Sequence, residues 1–203
     1  KFSKMNLFNG LNNLTDITTR PEYANICGYT HNDIKTTFKE QVEQHKLLST
    51  ENLNHPMVRI NWYRVLEFVK WINRNHRNDL PTNYIFNLPS ETEWEKAARG
   101  TDSRLYPWGD FFGHPALGLE RCNTLEAGYG NTTPVGKFSP DGDSPYGATD
   151  MVGNVLEWTR TLFLDNYSYP YEPLDGRESL NANKKIDRVL RGGSFGNSSK
   201  LSR

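Results

Sequence analysis

The chain has 203 residues and a mass of 23.4 kDa, enough for one sizeable domain and a small additional segment. Its 24 Lys and Arg residues balance 24 Asp and Glu residues. Because the formal net charge is 0, no global field draws the protein to nucleic acid or to an anionic membrane, and we expect neither as a partner.

The cysteine content and the apolar runs exclude further classes of protein. Cys27 and Cys122 are too few for a disulfide framework and too far apart for a CxxC metal site. Two free thiols favour a reducing compartment, so we expect a cytoplasmic protein. No apolar run has the length of a membrane span, and the polar N-terminus does not resemble a signal peptide. The chain begins at Lys1 without a methionine, as expected of a fragment.

Residues 1–47 differ from the rest and form the first of two predicted domains. A capping residue, Thr30, and apolar residues on one face predict a helix there. Residues 1–44 resemble a segment of bacterial predicted AAA-ATPase-like proteins. The motifs that carry this resemblance are Lys1-Phe2-Ser3-Lys4, Leu11–Ile17, Tyr23 and Ile26–Thr30. Residues 130–138 do not have the spacing of a phosphate-binding loop, so ATP hydrolysis is not implied. We interpret the segment as a remnant or a docking segment.

Residues 48–203 form the second predicted domain, which begins with a polar linker. Alternating polarity predicts a short strand over residues 57–60. A helix is predicted to follow, because apolar residues recur at helical spacing at Trp62, Val65, Leu66, Val69 and Ile72.

A second helix is predicted over residues 90–100. Ser90 is its N-cap, Glu93 is the partner in a capping box, and Gly100 ends it. Glu91, Glu93 and Glu95 fit an acid–base or metal site, but the dipole of a helix N-terminus also favours acids for structural reasons.

Residues 105–144 are predicted to be a long ordered loop, which buried aromatic residues or a bound cation would hold in place. Tyr106 and Trp108 are the candidate aromatics. Further along, residues 166–175 carry Tyr167, Tyr169 and Tyr171 together with Pro170 and Pro173, a composition suited to the rim of a binding site.

Residues 147–159 carry the densest signal in the chain. Gly153 and Asn154 leave the backbone free to turn, so oxygen atoms between Asp150 and Glu157 can converge on a hard cation such as Ca²⁺. The alternative is a tight turn that enters a buried strand, with Leu156 and Trp158 in the core. The motif Arg191-Gly192-Gly193-Ser194 indicates a close backbone approach, and we expect it to frame the same site.

A series of motifs between residues 55 and 203 resembles the sulfatase-modifying-factor or formylglycine-generating-enzyme family. In chain order these are His55–Val58, Trp62, Phe68, Trp71, Leu88–Gly100, Tyr106–Gly109, Cys122-Asn123, Thr133–Gly136, Tyr146-Gly147, Asp150–Trp158 and Arg188–Phe195. The resemblance implies an α+β fold of the C-type-lectin-like type with much irregular structure.

The resemblance also implies calcium, which members of the family often bind at two places. Carried over residue by residue, one site consists of Asp150, the carbonyls of Gly153 and Val155, and Glu157. The other consists of Asn123, Thr124 and Tyr129, with Ala127 at the position where the family has an aspartate.

The expected function follows from a departure from the family. Oxidising members bind copper through two cysteines downstream of the Arg-Gly-Gly-Ser motif, but no cysteine follows Ser194 here, so we expect no copper. The leading hypothesis is a non-catalytic module that binds a protein or a small molecule. It resembles the variable proteins of diversity-generating retroelements, whose variable residues follow the same motif. The predicted ligand-binding residues are Arg191, Ser194, Phe195, Asn197, Ser198, Ser199, Lys200 and Tyr169.

Three alternatives remain open. The protein is an oxidase whose cysteines lie outside this chain, or it is a regulatory or docking domain of an ATPase-like protein. Alternatively, residues 195–203 are simply a frayed C-terminus. The match of residues 192–196 to the GxSxG pattern is not a serine nucleophile, because no histidine follows His114.

Overall fold

The computed structural model describes residues 54–113, 120–164, 167, 169–172, 174–182 and 186–202. Most of these residues belong to the compact unit His55–Arg203. The predictions for residues 1–47, including the helix after Thr30 and the docking segment, lie outside the described residues. The domain boundary after residue 47 therefore stays a prediction.

The first helix, α1, spans Trp62–Asn75 and confirms the prediction from apolar spacing. Asn61 is its N-cap, and the Asn61 side chain accepts a hydrogen bond from the backbone N–H of Arg64 at 3.0 Å. The predicted strand over residues 57–60 is wrong. Arg59 has a φ of 57°, which breaks the extended backbone, and the Ile60 carbonyl accepts a hydrogen bond from the Trp158 indole at 2.9 Å.

The second helix, α2, spans Glu91–Arg99 and has the predicted capping box. The Ser90 hydroxyl accepts from the Glu93 N–H at 3.1 Å, and the Glu93 carboxylate accepts from the Ser90 N–H at 2.8 Å. Trp94 and Ala98 on the inner face of α2 are buried against Met151. The cap therefore fixes the start of a helix that forms part of the core.

Replacing Ser90 with Ala is expected to lower the free energy of unfolding by about 1 kcal/mol, because the Glu93 N–H loses its acceptor, the hydroxyl of the buried Ser90. Urea unfolding of both forms measures the loss. Thr101→Ala is the control, since Thr101 is exposed and lies beyond the helix. Equal stability of Ser90→Ala and the parent protein would show that the cap does not stabilise α2.

A two-stranded antiparallel sheet lies beside α2. Strand β1 spans Glu157–Leu162 and β2 spans Arg188–Arg191, with Glu157 opposite Arg191 and Leu162 opposite Arg188. The start of α2 is tied to β1, because the Glu91 N–H donates to the Thr161 hydroxyl at 2.8 Å. The interpretation of Leu156 as a core residue is wrong, since it precedes β1 and is 48% exposed.

The remainder of the unit is mostly irregular, with short 3-10 turns at Arg77–Asp79, Leu125–Ala127 and Ser199–Leu201. A second core cluster holds the long loop, as predicted for its aromatic residues. It consists of Tyr106, Cys122 and Val152, with Trp108 and Phe112 packed against them. The Tyr106 and Trp108 rings are stacked with centroids 5.6 Å apart. This combination of two helices, a small sheet and long ordered loops confirms an α+β fold with much irregular structure.

Neither helix of the part of the chain that the structure describes is long and apolar enough to cross a bilayer.

Candidate functional site

The turn between Asp150 and Glu157 is built from unusual backbone conformations. Asp150, Gly153 and Asn154 all have positive φ angles, of 57°, 76° and 60°. The Asp150 carboxylate accepts a hydrogen bond from the Gly136 N–H at 2.6 Å, and the Gly153 N–H donates to the Gly192 carbonyl at 2.7 Å. The Arg-Gly-Gly-Ser motif therefore does frame this turn, as expected from the sequence.

Glu157 places a carboxyl group inside this turn. The residue is partly exposed, but its carboxyl end lies in the interior and accepts a hydrogen bond from the Trp94 indole at 2.7 Å. Burial raises the pKa of Glu157 to about 7; the Trp94 hydrogen bond opposes this rise, and the charge of Asp150 adds to it. Deprotonation of Glu157 is therefore less favourable than that of an exposed glutamate, and a nearby positive charge would offset this difference.

The donor atoms of the first predicted calcium site suit a hard cation. Asp150 and Glu157 are close enough for their charges to interact. Among the described residues, no hydrogen bond is made to the carbonyl oxygen of Gly153 or of Val155. Two carboxylates and two carbonyls are the oxygen ligands that Ca²⁺ prefers. No cluster of three or more His, Cys, Asp or Glu side chains suited to a metal occurs in the described ranges, so a cation here would depend on the carbonyls.

Asn123, from the second predicted calcium site, is a fully buried hub beneath the turn. Its amide N–H₂ donates to the Asn131 carbonyl at 2.8 Å, and its backbone carbonyl accepts from the Asn154 N–H at 2.7 Å. Its side-chain oxygen is buried and has no hydrogen-bond partner among the described residues. Such an orphaned oxygen fits a cation or a bound water.

The other two residues of the second predicted site differ from each other. Thr124 is buried next to Asn123, whereas Tyr129 is 39% exposed. The Tyr129 hydroxyl donates to the Glu120 carboxylate at 2.8 Å. The structure thus places the Tyr129 hydroxyl in a surface pair with Glu120.

We define residues 194–201 as the recognition segment, since they hold the predicted binding residues that follow the double glycine. The segment is fixed at both ends. The Phe195 N–H donates to the Asn154 carbonyl at 3.1 Å. Ser202 is 1% exposed and fills the space beside Gly193, where a Cβ atom would lie 2.7 Å from the Ser202 Cβ.

The middle of the recognition segment is held as well. The Asn197 carbonyl accepts from the Leu125 N–H at 2.9 Å, and the Ser194 hydroxyl donates to the Asn197 side chain at 2.8 Å. The Glu126 carboxylate accepts from the N–H of Ser199 at 2.9 Å and from its hydroxyl at 3.0 Å. Three of the predicted binding side chains, on Ser194, Asn197 and Ser199, therefore make internal hydrogen bonds.

The other predicted binding residues of this segment are at least as exposed as Ser194, Asn197 and Ser199, which are all partly exposed. Phe195 and Ser198 are partly exposed, and Lys200 is exposed. Glu126 and Ser202 were not predicted to take part. The double glycine predicts only the local backbone conformation. It carries no signal for the contact of Glu126 with Ser199 or of Ser202 with Gly193.

Arg191 and Tyr169, also predicted to bind ligand, line a separate cleft of about 540 Å³. The other lining residues are Glu91, Glu95, Arg99 and Leu105. Arg191 lies with its guanidinium carbon 5.2 Å from the centroid of the Trp94 ring, on the side of α2 that carries the two glutamates. The sequence places these glutamates one helical turn apart on α2. It does not predict that they line a cleft together with Arg191.

Cys122 is buried in the second core cluster, at 5% exposure. Burial raises the pKa of its thiol to about 12, and the Thr124 hydrogen bond only partly opposes this. The thiol is therefore protonated at neutral pH, in the form that neither attacks electrophiles nor binds soft metals.

We expect Cys122 in the folded protein to resist alkylation, with a rate at pH 8 at least about a hundredfold below that of a free thiol. Iodoacetamide labelling of a Cys27→Ser variant, followed by mass spectrometry, measures the rate at this single thiol. The same variant in denaturant is the control and is expected to label fully. Rapid labelling of the folded form would show that the Cys122 pKa is not raised.

The chain is similar in sequence to known proteins. The family model described as "Sulfatase-modifying factor enzyme 1-like domain" matches residues 14–203. A formylglycine-generating enzyme from Thermomonospora curvata is 32% identical over 157 residues, which is 72% of this chain and 46% of the relative. The one from Mycobacterium tuberculosis is 30% identical over 163 residues, covering 71% and 47%.

A further relative is named as inactive. The "Inactive C-alpha-formylglycine-generating enzyme 2" of Bos taurus is 34% identical over 119 residues, which is 56% of this chain and 35% of the relative. The chain thus spans about half or less of the length of these curated relatives.

Two solved structures share the fold. "Treponema denticola variable protein 1" matches with a TM-score of 0.51 and 23% identity, covering 73% of this chain and 63% of that one. CarF matches with a TM-score of 0.52 and 20% identity, covering 76% and 61%. These matches confirm the predicted C-type-lectin-like fold of the formylglycine-generating-enzyme type.

Proposed function

The chain belongs to the sulfatase-modifying factor enzyme 1-like family, and we propose from this premise that it is a non-catalytic ligand-binding module. The observation that carries the proposal is the construction of the recognition segment. Its backbone is held at several points from Gly193 to Ser202, while Phe195 and Ser198 are partly exposed and Lys200 is exposed. A rigid backbone with exposed side chains is the arrangement that binding surfaces use.

The fixed backbone supports diversification of these three positions. The contacts that hold the segment include hydrogen bonds of backbone groups and contacts of the side chains of Glu126, Ser194, Asn197, Ser199 and Ser202. Substitutions at Phe195, Ser198 and Lys200 leave those contacts in place. The ligand would then be a protein or small molecule matched by the exposed side chains, as we infer for a retroelement-diversified variable protein.

The chemistry of the Cys122 thiol also supports a non-catalytic role for the described part of the chain. Copper sites of the thiolate type need deprotonated cysteines. Cys122 is the one cysteine within the described residues, and burial raises its thiol pKa to about 12. The rival proposal, an oxidase, is favoured by the names of the relatives and requires a cysteine pair from outside this sequence.

We propose that Asp150, Glu157 and the carbonyls of Gly153 and Val155 hold a calcium ion. The ion would neutralise the two carboxylates and stiffen the turn beneath the Arg-Gly-Gly-Ser motif. Its role in binding is indirect, because the Phe195 N–H is hydrogen-bonded to Asn154 in the same turn. Stiffening the turn therefore stiffens the start of the recognition segment.

Comparing the sequences of many copies of this gene tests the proposed function. Amino-acid substitutions are expected to concentrate at positions 195, 198 and 200. Positions 194, 197 and 202 serve as matched controls, since they lie in the same segment and hold its backbone. Substitutions spread evenly along residues 194–202 would contradict a diversified binding surface.

A further inference from the structure

The cleft beside α2 contains two kinds of charged pair. Glu95 and Arg99, one turn apart on α2, form a close ion pair, and Arg99 also donates to the Arg104 carbonyl at 2.5 Å. Arg191 and Glu91 form a loose pair, with the Arg191 Nε 3.9 Å from a Glu91 carboxylate oxygen. The Glu95–Arg99 pair is in hydrogen-bond contact, whereas the Glu91–Arg191 distance is too long for a hydrogen bond.

The Arg191 guanidinium makes few interactions with the described residues. It lies over the Trp94 ring at 5.2 Å, and it makes no hydrogen bond to any described residue. Its Nε atom is buried and has no hydrogen-bond partner among the described residues. The side chain is 21% exposed. A planar guanidinium held against an aromatic ring with open donors is suited to a carboxylate.

Two further groups in the cleft lack hydrogen bonds within the described part of the chain. The Glu91 carboxylate has only the loose contact with Arg191, and the Tyr169 hydroxyl makes no hydrogen bond there. Tyr169 lines the same cleft as this pair. Burial raises the pKa of Tyr169, Glu91 and Glu95 raise it further, and Arg191 and Arg177 oppose the rise. A guanidinium and a carboxylate without hydrogen bonds to the described residues therefore line the same cleft as a tyrosine hydroxyl.

We propose that this cleft binds a free α-amino acid as a zwitterion, with the carboxylate on Arg191 and the ammonium group on Glu91. Both charged groups of such a ligand are attached to the same carbon atom, so they fit a cation and an anion that lie side by side. The cleft holds two acidic and two basic side chains, so it attracts neither a simple anion nor a simple cation overall. Leu105, at 40% exposure, offers an apolar contact to the ligand side chain.

This inference rests on the proposed function, because it assigns a ligand class to the part of the binding surface formed by Arg191 and Tyr169. It is separable from the recognition segment, which does not line this cleft. Binding through Phe195, Ser198 and Lys200 does not depend on Glu91.

Calorimetric titration of the 203-residue chain with leucine, N-acetyl-leucine and leucine amide tests the proposal. Leucine is expected to bind at least about tenfold more tightly than either blocked form, since each blocked form loses one charge-assisted contact. Binding of N-acetyl-leucine equal to that of leucine would reduce the cleft to a carboxylate site. Equal binding of leucine amide would reduce it to a cation site. Either result, or no binding of leucine, overturns the proposal.

Two variants of α2 locate the site. Glu91→Gln is expected to weaken leucine binding at least about tenfold, because it removes the charge that faces the ammonium group. Glu95→Gln is the matched control, one turn further on the same cleft wall, and is expected to change binding less than about threefold. Equal effects of the two substitutions overturn the assignment to Glu91. Tyr169→Phe, on a separate segment, is expected to weaken binding about threefold and serves if Glu91→Gln does not fold.

Discussion

The calcium-free protein is expected to lose about 3 kcal/mol of unfolding free energy as the pH rises from 4.5 to about 7. The pKa of Glu157 is raised from 4.5 to about 7 by burial, so the folded state holds its proton more tightly than the unfolded state does. The resulting stability is fully present below pH 4.5 and is lost as the pH rises through 7. The burial-raised pKa of Asp150 adds to the loss in the same direction.

Calcium is expected to remove this loss, because the ion favours the ionised carboxylates and binds only the folded state. At pH 7.5, calcium at about a hundred times its dissociation constant is expected to add about 2.7 kcal/mol. Urea unfolding at pH 5 and pH 7.5, in calcium-depleted and calcium-containing buffer, measures both effects.

Glu157→Gln is the control for the pH dependence, because the amide oxygen can still accept from the Trp94 indole but does not titrate. The difference between the parent protein and this variant isolates Glu157 from the other titrating groups. A variant that keeps the full pH dependence would show that Glu157 is not its source. Unchanged stability on adding calcium at pH 7.5 would count against the site.

Replacing Gly153 with Ala is expected to destabilise the fold by at least about 3 kcal/mol. Gly153 has a φ of 76°, and an added Cβ would overlap the Asn123 carbonyl oxygen and lie 2.6 Å from the Asn123 carbonyl carbon. The obstacle is backbone and not a flexible side chain, so it cannot move aside cheaply. The alanine would therefore push the turn at Gly153 away from the buried Asn123.

Gly147→Ala is the matched control for this substitution. Gly147 also has a φ of 76°, but an added Cβ would meet no atom within 4 Å. It therefore carries the conformational cost alone, about 1 to 2 kcal/mol. Thermal and urea unfolding of the two variants measure the difference. Equal losses would mean that the close approach of Gly153 to Asn123 contributes nothing beyond the φ angle.

The features that the sequence predicted well are those written in neighbouring residues. The capping box of α2 joins Ser90 to Glu93, three residues apart, and the start of α1 follows from helical spacing beginning at Trp62. The turn after Asp150 was visible from Gly153 and Asn154, both of which have positive φ. Each depends on local backbone preferences, which the sequence states directly.

Features that depend on distant contacts were not predictable from local pattern. The alternation at residues 57–60 matched a strand, but the Ile60 carbonyl pairs with the Trp158 indole instead of with a neighbouring strand. Leu156 is apolar in a motif-rich segment and yet lies exposed before β1. For Ile60 a tertiary contact decided the outcome and overrode the local preference, whereas the position of Leu156 outside the core could not be read from its apolar character.

The candidate site shows the same division. Most of the predicted binding residues were grouped because they belong to or follow one motif, and Tyr169 was added from the aromatic segment 166–175. The structure divides them between the recognition segment and the Arg191 cleft. Glu126 and Ser202 hold the segment in place through contacts that local sequence does not indicate. Glu126 binds Ser199, which is far away in sequence, and Ser202 packs beside Gly193 at the other end of the segment. The side chains that anchor the segment are therefore separable from those that face solvent only once the contacts are known.

Selection from a displayed library tests the central claim most directly. Codons 195, 198 and 200 are randomised in one library and codons 194, 197 and 202 in another, and each is selected against several unrelated proteins in calcium-containing buffer. The first library is expected to stay folded and to yield specific binders, whereas the second is expected to lose folded protein and to yield few. Binders arising equally from both libraries, or from neither, would contradict a binding surface carried by a clamped recognition segment.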